Sequence, residues 1–170
     1  KKILFDVLET RGFNKDDFNN VCSSLDKLDK FSWSYIFDEL TIEKKVVSSL
    51  VVLLGEFVDL VKNGSSIDLL YEKGYITLTT YNEMKLLFDN LKAVNIINNI
   101  KFDPLLSRGL DYYTGIIYEA EYNDKNIMPS SIAAGGRYDD MLNRLGTKWV
   151  IPAIGLSIGI ERIVIILENT

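Results

Sequence analysis

The sequence contains no histidine and a single cysteine, Cys22, among its 170 residues. Since protein zinc sites are built mainly from cysteine and histidine ligands, this composition argues against a zinc site. A lone thiol cannot form an internal disulfide, and we interpret Cys22 as a buried structural thiol in a protein of a reducing compartment.

Long apolar runs and a positive net charge are also missing. The longest apolar stretch, residues 46–61, is interrupted by two serines and two carboxylates, so we expect no membrane-spanning helix. The net charge of -5 disfavours nucleic-acid binding through the overall charge and leaves that task to local patches or other segments. The chain starts with Lys1 and Lys2 rather than methionine, and we expect no signal peptide and a longer parent polypeptide.

What the sequence does contain is ordinary for a globular protein of one or two domains, with 47% apolar and 25% charged residues. Its character changes near residue 101. Residues 1–100 predict helices, whereas residues 101–170 predict strands, glycine turns and two helices, and together they indicate an α+β fold. The usual glycine-rich nucleotide-binding motifs are absent.

Apolar residues at helical spacing predict four helices in the first hundred residues. Their apolar stripes are Ile3, Leu4, Val7 and Leu8; Phe18, Val21, Cys22 and Leu25; Val46, Val47, Leu50, Val51, Leu54, Phe57, Val58 and Val61; and Met84, Leu87, Phe88, Leu91 and Val94. We expect the third helix to end at Asn63-Gly64 and the fourth to begin with a capping box, Thr80-x-x-Glu83. Four lysines, Lys27, Lys30, Lys44 and Lys45, lie in this part of the sequence. They form either a basic patch or solvated helix ends, and the sequence does not favour one over the other.

Alternating side chains predict antiparallel strands over residues 116–122, 131–134 and 153–158. Gly135-Gly136 is expected to form a turn into a short helix that carries Tyr138, and residues 160–167 predict a closing amphipathic helix.

The last strand has one face that is nearly bare, because Ala153, Gly155, Ser157 and Gly159 alternate with larger apolar residues. Such a row often marks the close approach of a ligand or another backbone. Arg162 lies in the first turn of the next helix, where a bound phosphate would satisfy both its guanidinium and the free N–H groups. The alternative is that Arg162 pairs with a carboxylate while the small face packs on a helix.

Residues 108–115, Arg-Gly-Leu-Asp-Tyr-Tyr-Thr-Gly, concentrate polar side chains just before a strand. Arg108 can hold a phosphate or carboxylate through two hydrogen bonds. Tyr112 and Tyr113 would face opposite ways, so that one lines a pocket while the other packs. A hairpin with an Arg108–Asp111 ion pair is the alternative from the residues alone.

Residues 133–139, Ala-Ala-Gly-Gly-Arg-Tyr-Asp, form the third segment of interest. Its glycines either let a ligand rest against the backbone or simply make a turn. We interpret the charged residues Asp111, Arg137 and Asp139 as structural.

Together these segments resemble the signatures of the histidyl-tRNA synthetases. Residues 108–115 resemble the first histidine-specific signature, residues 134–139 the second, and residues 155–163 motif 3 of the class II synthetases, in the family's order and spacing. Residues 22–30 and 85–88 are similar to the helical insertion of the eukaryotic enzymes. The resemblance implies a helical insertion over residues 1–97, with its core at about 10–95, followed by the C-terminal part of the catalytic domain over residues 98–170.

The resemblance also implies a reaction and a set of site residues. Histidine's carboxylate attacks the α-phosphate of ATP, giving histidyl-adenylate and pyrophosphate, and tRNA(His) then accepts the histidyl group. Arg108 would be the catalytic residue that contacts the α-phosphate. The histidine pocket would comprise Arg108, Tyr112, Tyr113, Ala134, Gly135, Gly136 and Tyr138, and the ATP site Gly155, Gly159 and Arg162.

Further expectations follow from the same resemblance: a cytoplasmic homodimer without membrane contact, ATP with Mg²⁺ as co-substrate, and no tightly bound cofactor. Motifs 1 and 2 are expected upstream and the anticodon-binding domain downstream, so that these residues carry half an active site and are inactive alone. The alternatives are a non-catalytic regulatory module that binds histidine or tRNA, and a helical interaction domain without a ligand.

Overall fold

The computed structural model describes residues 2–107 and 112–170, which form two compact units, here called the helical unit and the sheet unit. Arg108 and Asp111 lie outside the described residues. The helical unit contains α1 (Lys2–Thr10), α2 (Phe18–Leu25), α3 (Trp33–Asp38), α4 (Ser48–Lys62), α5 (Ile67–Glu72) and α6 (Leu78–Ala93). Short 3₁₀ segments cover Lys15–Asp17, Asp26–Asp29 and Ile97–Asn99, and a π-helical turn covers Glu39–Glu43.

Apart from Val47, the exposed N-cap of α4, the predicted apolar stripes of α1, α2 and α4 lie in or against the core of the helical unit. Residues of α3, α5 and the π-helical turn, which the periodicity had not singled out, complete this core. Cys22 is buried there, as predicted. The largest side chains that are fully enclosed are Phe57, Leu4, Leu8, Leu25, Ile36, Leu40, Leu54 and Leu70. The stripe of α6 is only partly buried and packs against this cluster through Met84 and Phe88.

The end of α4 follows a local sequence signal, whereas the start of α6 involves a contact with a residue distant in the sequence. Helix α4 ends as predicted, with Asn63 as its C-cap and Gly64 at a positive φ of 88°. The predicted capping box at Thr80 is wrong, because α6 begins three residues earlier and its N-cap is Thr77, whose Oγ1 accepts from Thr80 N at 3.3 Å. The Asp6 carboxylate holds Thr77 in place, accepting from its N at 2.9 Å and its Oγ1 at 2.8 Å.

Two of the four lysines bind a buried carboxylate instead of forming a patch. Lys27 Nζ lies 2.8 Å from Glu39 Oε2, and Lys44 Nζ lies 3.1 Å from Glu39 Oε1, which also accepts from Ser24 at 2.7 Å. Burial would raise the pKa of Glu39, but the hydrogen bonds from Lys27, Ser24 and Lys44 outweigh it and lower that pKa to about 2. Lys30 and Lys45 are exposed.

The sheet unit is a three-stranded antiparallel sheet in the order β1 (Ile117–Glu121), β2 (Ser131–Arg137), β3 (Ile154–Ile158). Helix α7 (Met141–Arg144) lies between β2 and β3, and α8 (Ile160–Glu168) follows β3. The α+β class is thereby confirmed. Within the described ranges, no helix combines the length and apolar character needed to cross a bilayer.

One expectation for the sheet unit is wrong, because Gly135-Gly136 is not a turn. Both glycines are strand residues near the end of β2, paired with Tyr118 and Ile117 of β1 and with Leu156 and Gly155 of β3. The sheet approaches both glycines too closely for a side chain, since a Cβ on Gly136 would lie 2.6 Å from the carbonyl oxygen of Ile116. A Gly-Gly pair therefore marks close approach inside a strand here.

Candidate functional site

Three tyrosines from two segments gather at one end of the sheet. The ring centroids of Tyr112 and Tyr113 are 4.8 Å apart, and Tyr138, which follows β2, lies 5.9 Å from Tyr112 and 6.5 Å from Tyr113. The rings of Tyr112 and Tyr138 meet edge to face at 88°. The structure thus brings together the tyrosines of both predicted histidine signatures. The expectation that Tyr112 and Tyr113 face opposite ways is wrong, because neither residue lies in a strand and their rings contact each other.

Two glycines form the floor beneath these rings. Gly136 and Gly155 are direct register partners, so they share one face of the sheet. A Cβ on Gly136 would lie 2.8 Å from the ring of Tyr113, and a Cβ on Gly155 would lie 3.2 Å from Cζ of Tyr138. The bare face predicted for β3 is therefore approached, at Gly155, by an aromatic side chain from the preceding segment.

Contacts on the opposite face of the sheet support the strands that carry these two glycines. Tyr118 crosses over Gly135, and its hydroxyl donates to the carbonyl of Gly155 at 2.7 Å. A Cβ on Gly135 would lie 2.8 Å from that hydroxyl and from Cα of Leu156. Gly135 thus supports the floor from behind the rings, whereas Ala134 shares the face of Gly136, two positions away.

A network of polar groups joins the segments that carry the tyrosines. Thr114 N donates to the carbonyl of Arg137 at 2.9 Å, and Asp139 N donates to Thr114 Oγ1 at 3.0 Å. The Asp139 carboxylate accepts from Arg137 Nε at 2.8 Å and from Ala153 N at 3.1 Å. Arg137 and Asp139 are therefore partners in an ordered network rather than unconnected surface charges.

The start of α8 presents a second candidate binding region. Gly159 is the N-cap of this helix and supplies no side-chain cap. The side chain of Arg162 folds back over Gly159, with Cδ 3.1 Å from the position of a Gly159 Cβ, and its guanidinium donates to the carbonyl of Ser131. Gly155 and Gly159 are four strand residues apart, roughly 13 Å along β3, so the tyrosines and Arg162 lie at separate ends of one strand.

Sequence patterns did not single out Tyr118, Thr114 or the bond from Asp139 to Ala153. These contacts depend on strand register, which pairs Tyr118 with Gly135 and Gly155 with Gly136. One sequence signal could have indicated the contact of Tyr118 with Gly135. Tyr118 lies in one predicted strand and the glycine pair follows in the sequence, and aromatic side chains often cover glycines on a neighbouring strand.

Comparison with known proteins places these features in a family context. The family model described as histidyl-tRNA synthetase matches residues 2–163. The cytoplasmic histidine–tRNA ligase of Oryza sativa subsp. japonica is 40% identical over 180 residues, covering 99% of this chain and 22% of the relative. The mitochondrial histidine–tRNA ligase of Homo sapiens is 33% identical over 182 residues, covering 99% of this chain and 36% of the relative.

A solved structure shows the same fold. The crystal structure of histidyl-tRNA synthetase from Nostoc sp. PCC 7120 superposes with a TM-score of 0.78 at 21% identity, covering 99% of this chain and 40% of that one. The chain thus spans between about a fifth and two fifths of the length of these matches.

Proposed function

Because the chain belongs to the histidyl-tRNA synthetase family, we propose that it supplies the histidine pocket and part of the ATP site of an enzyme that charges tRNA(His). The resemblance seen in the sequence is confirmed at the level of the family. The observation that carries the proposal is the cluster of Tyr112, Tyr113 and Tyr138 over Gly136 and Gly155. This cluster unites all three signature segments at one place.

The cluster suits an imidazole side chain. Tyrosine offers a ring face or edge for contact with a planar ring and a hydroxyl that donates or accepts a hydrogen bond. In the proposal, Tyr112 and Tyr113 form the wall of the pocket and Tyr138 closes it. Ala134 and Gly136 form the floor with Gly135 behind them, because small residues let a ligand approach the backbone.

Arg108 is proposed as the catalytic residue of adenylate formation. Its role rests on the signature it belongs to, since it lies outside the described residues. A guanidinium can contact the histidine carboxylate and the α-phosphate of ATP together. It would stabilise the negative charge that develops on the phosphate while the carboxylate oxygen forms the new P–O bond and pyrophosphate leaves.

ATP is proposed to lie along β3 towards the start of α8. The uncapped N–H groups after Gly159 and the guanidinium of Arg162 favour a phosphate. Gly155, which the sequence also predicts in the ATP site, lies under Tyr138 and in the proposal belongs to the histidine pocket. Among the described residues, no three histidine, cysteine, aspartate or glutamate side chains gather as a metal site. Mg²⁺ is proposed to enter with ATP as part of the co-substrate, and no step is assigned to a protein-bound metal.

The wider organisation is also proposed from the family. Residues 1–97 would be the helical insertion and residues 98–170 the C-terminal part of a catalytic domain, with the rest of the active site outside this sequence. The exposed Lys30 and Lys45 are candidate contacts for tRNA(His). We propose a cytoplasmic homodimer, in line with the cytoplasmic plant relatives at 40% and 37% identity.

The test is histidine-dependent exchange between ATP and pyrophosphate, measured in the full-length protein that contains this sequence. We expect exchange that requires histidine, and none from residues 1–170 alone. A folded full-length protein without exchange would overturn the enzymatic proposal, and exchange by residues 1–170 alone would contradict the division of the active site.

A single substitution tests the role of Arg108. Arg108→Ala is expected to lower the exchange rate about 100-fold or more, as for the loss of one charge-stabilising donor, with a much smaller loss of histidine affinity. Lys148→Ala, which removes an exposed cation of the sheet unit, is the control and should leave both unchanged. Equal losses of rate and affinity in Arg108→Ala would contradict a role that lies mainly in the transition state.

A further inference from the structure

Asp139 connects the wall, the closing tyrosine and the floor of the proposed pocket. Resting on the proposed function, we infer that Asp139 is a positioning residue that sets the spacing of the three tyrosines and thereby the affinity and selectivity for histidine. It carries this role through its hydrogen bonds, since the three tyrosines are the groups placed against the ligand.

Each bond of Asp139 reaches a different part of the pocket. Its main-chain N donates to Thr114 Oγ1 at 3.0 Å, and Thr114 directly follows the wall residues Tyr112 and Tyr113. Its carboxylate Oδ1 accepts from Ala153 N at 3.1 Å, two residues before the floor glycine Gly155. Asp139 also directly follows Tyr138, so that one residue ties all three parts together.

Neighbouring bonds make this connection stiff. Tyr138 N donates to the carbonyl of Ala153 at 2.8 Å, and the Asp139 carboxylate accepts from Ala153 N. Both main-chain polar groups of Ala153 are therefore hydrogen-bonded to this segment. Arg137 Nε donates to both carboxylate oxygens of Asp139, at 2.9 and 2.8 Å. The stem of Arg137 packs on Gly115, with Cδ 3.1 Å from the position of a Gly115 Cβ. The carboxylate therefore cannot turn away without breaking several charge-assisted bonds.

Accurate spacing matters because the proposed ligand is small. A pocket for a single planar ring must hold its contact groups to within about 0.5 Å, and such accuracy comes from the residues that support them. Loss of the carboxylate would remove the bonds from Ala153 N and Arg137 Nε and leave only the main-chain N–H bonds of Tyr138 and Asp139 between the tyrosines and the strand of Gly155, so the spacing would become less exact. The start of α8, roughly 13 Å along the strand, would keep its geometry, so histidine binding should suffer more than ATP binding.

The test compares Asp139→Ala, Asp139→Asn and the control Asp140→Ala in the full-length protein by ATP–pyrophosphate exchange. Asp140 is a neighbouring exposed carboxylate whose side chain does not cap α7. We expect Asp139→Ala to raise the histidine KM about tenfold, the equivalent of one charge-assisted hydrogen bond. The ATP KM should stay within about twofold, because the ATP contacts remain.

Asp139→Asn keeps an acceptor for Ala153 N and removes the charge that faces Arg137. If Asp139→Ala fails to fold, Asp139→Asn should still fold. It should raise the histidine KM by a smaller factor than Asp139→Ala does. Discrimination against a histidine analogue with a larger ring should weaken in the same order, an effect that a merely stabilising role would not produce.

An unchanged histidine KM in both variants, or an equal rise in the histidine and ATP KM values, would overturn the role of Asp139. A fall in the midpoint of thermal unfolding without a change in the histidine KM would also overturn this role. Absence of exchange in the unsubstituted protein is a different result, because it would overturn the proposed function itself and this inference with it.

Discussion

The helical unit and the sheet unit differ in how they use their apolar residues. In the helical unit, the predicted stripes of α1, α2 and α4 meet in one continuous cluster in which Leu4, Leu54 and Phe57 are completely buried. In the sheet unit, alternate residues of β3 remain exposed, with 65% of Ile154, 58% of Leu156 and 55% of Ile158 accessible. The two units therefore hold their shape by different means.

The sheet unit relies on hydrogen bonds where the helical unit relies on packing. Its floor is made of glycines, which contribute no apolar side chain, and the strands approach closely because of them. Tyr118, Thr114 and Asp139 then fix the geometry through directional bonds. The glycines leave room for the rings of Tyr113 and Tyr138, which lie where core side chains would otherwise pack.

The most direct test of this difference removes the same atoms from each unit. Leu54→Ala should cost about 3–5 kcal/mol, because it leaves a cavity in a closed core. Leu156→Ala should change stability by no more than about 0.5 kcal/mol, because its side chain is mostly exposed. Amide hydrogen exchange reports the two units separately. Similar losses at both positions would contradict the contrast.

The next test removes the polar centre of the helical unit. Glu39→Gln should cost about 3 kcal/mol at pH 7, because Lys27 and Lys44 lose their common buried partner. Urea unfolding measures the loss, with the exposed Glu56→Gln as the matched control.

The same variant predicts a pH dependence. The pKa of Glu39 is lowered from 4.5 to about 2, so its stabilising effect is complete above pH 4.5 and is lost as the pH falls towards 2. The difference between the wild type and Glu39→Gln should therefore shrink over this range, and a difference that grows with acid would contradict the assignment.

A smaller effect is expected when the sheet unit is overpacked. Gly135→Ala should cost about 1–3 kcal/mol, because its methyl group would press on the carbonyl oxygen of Gly155, on Leu156 Cα and on the hydroxyl of Tyr118. The loss should appear as faster amide exchange in β2 and β3 with little change in the helical unit. Unchanged exchange in the strands would show that the register places Gly135 elsewhere.

The smallest effect concerns the capping of α6. Thr77→Ala should cost about 1–2 kcal/mol, since both the N-cap bond from Thr80 N and the bond to the Asp6 carboxylate are lost. The exposed Thr79→Ala within the same helix should cost less than about 0.5 kcal/mol. Urea unfolding of both variants checks the prediction, and equal losses would argue against Thr77 as the cap.

Local patterns were sufficient for α1, α2, α4 and α6, the three strands and the α+β class, whereas they did not single out α3 and α5. The spacing of Leu4, Val7 and Leu8, or of Leu54, Phe57 and Val58, reflects the turn of a helix, and this property belongs to a short segment. The signature segments were likewise readable as sequence, and they led to the family. Arg108 and its role stay a prediction.

Tertiary structure decided the features that join distant residues. Asp6 accepts a hydrogen bond from Thr77, the N-cap of α6, and Glu39 binds two lysines. Strand register places Gly136 and Gly155 beneath the tyrosines. A short segment does not encode which distant group will lie next to it, because that depends on how the elements pack. The residues of the proposed pocket were thus visible in the sequence, whereas the arrangement of the tyrosines and glycines arose from packing and register.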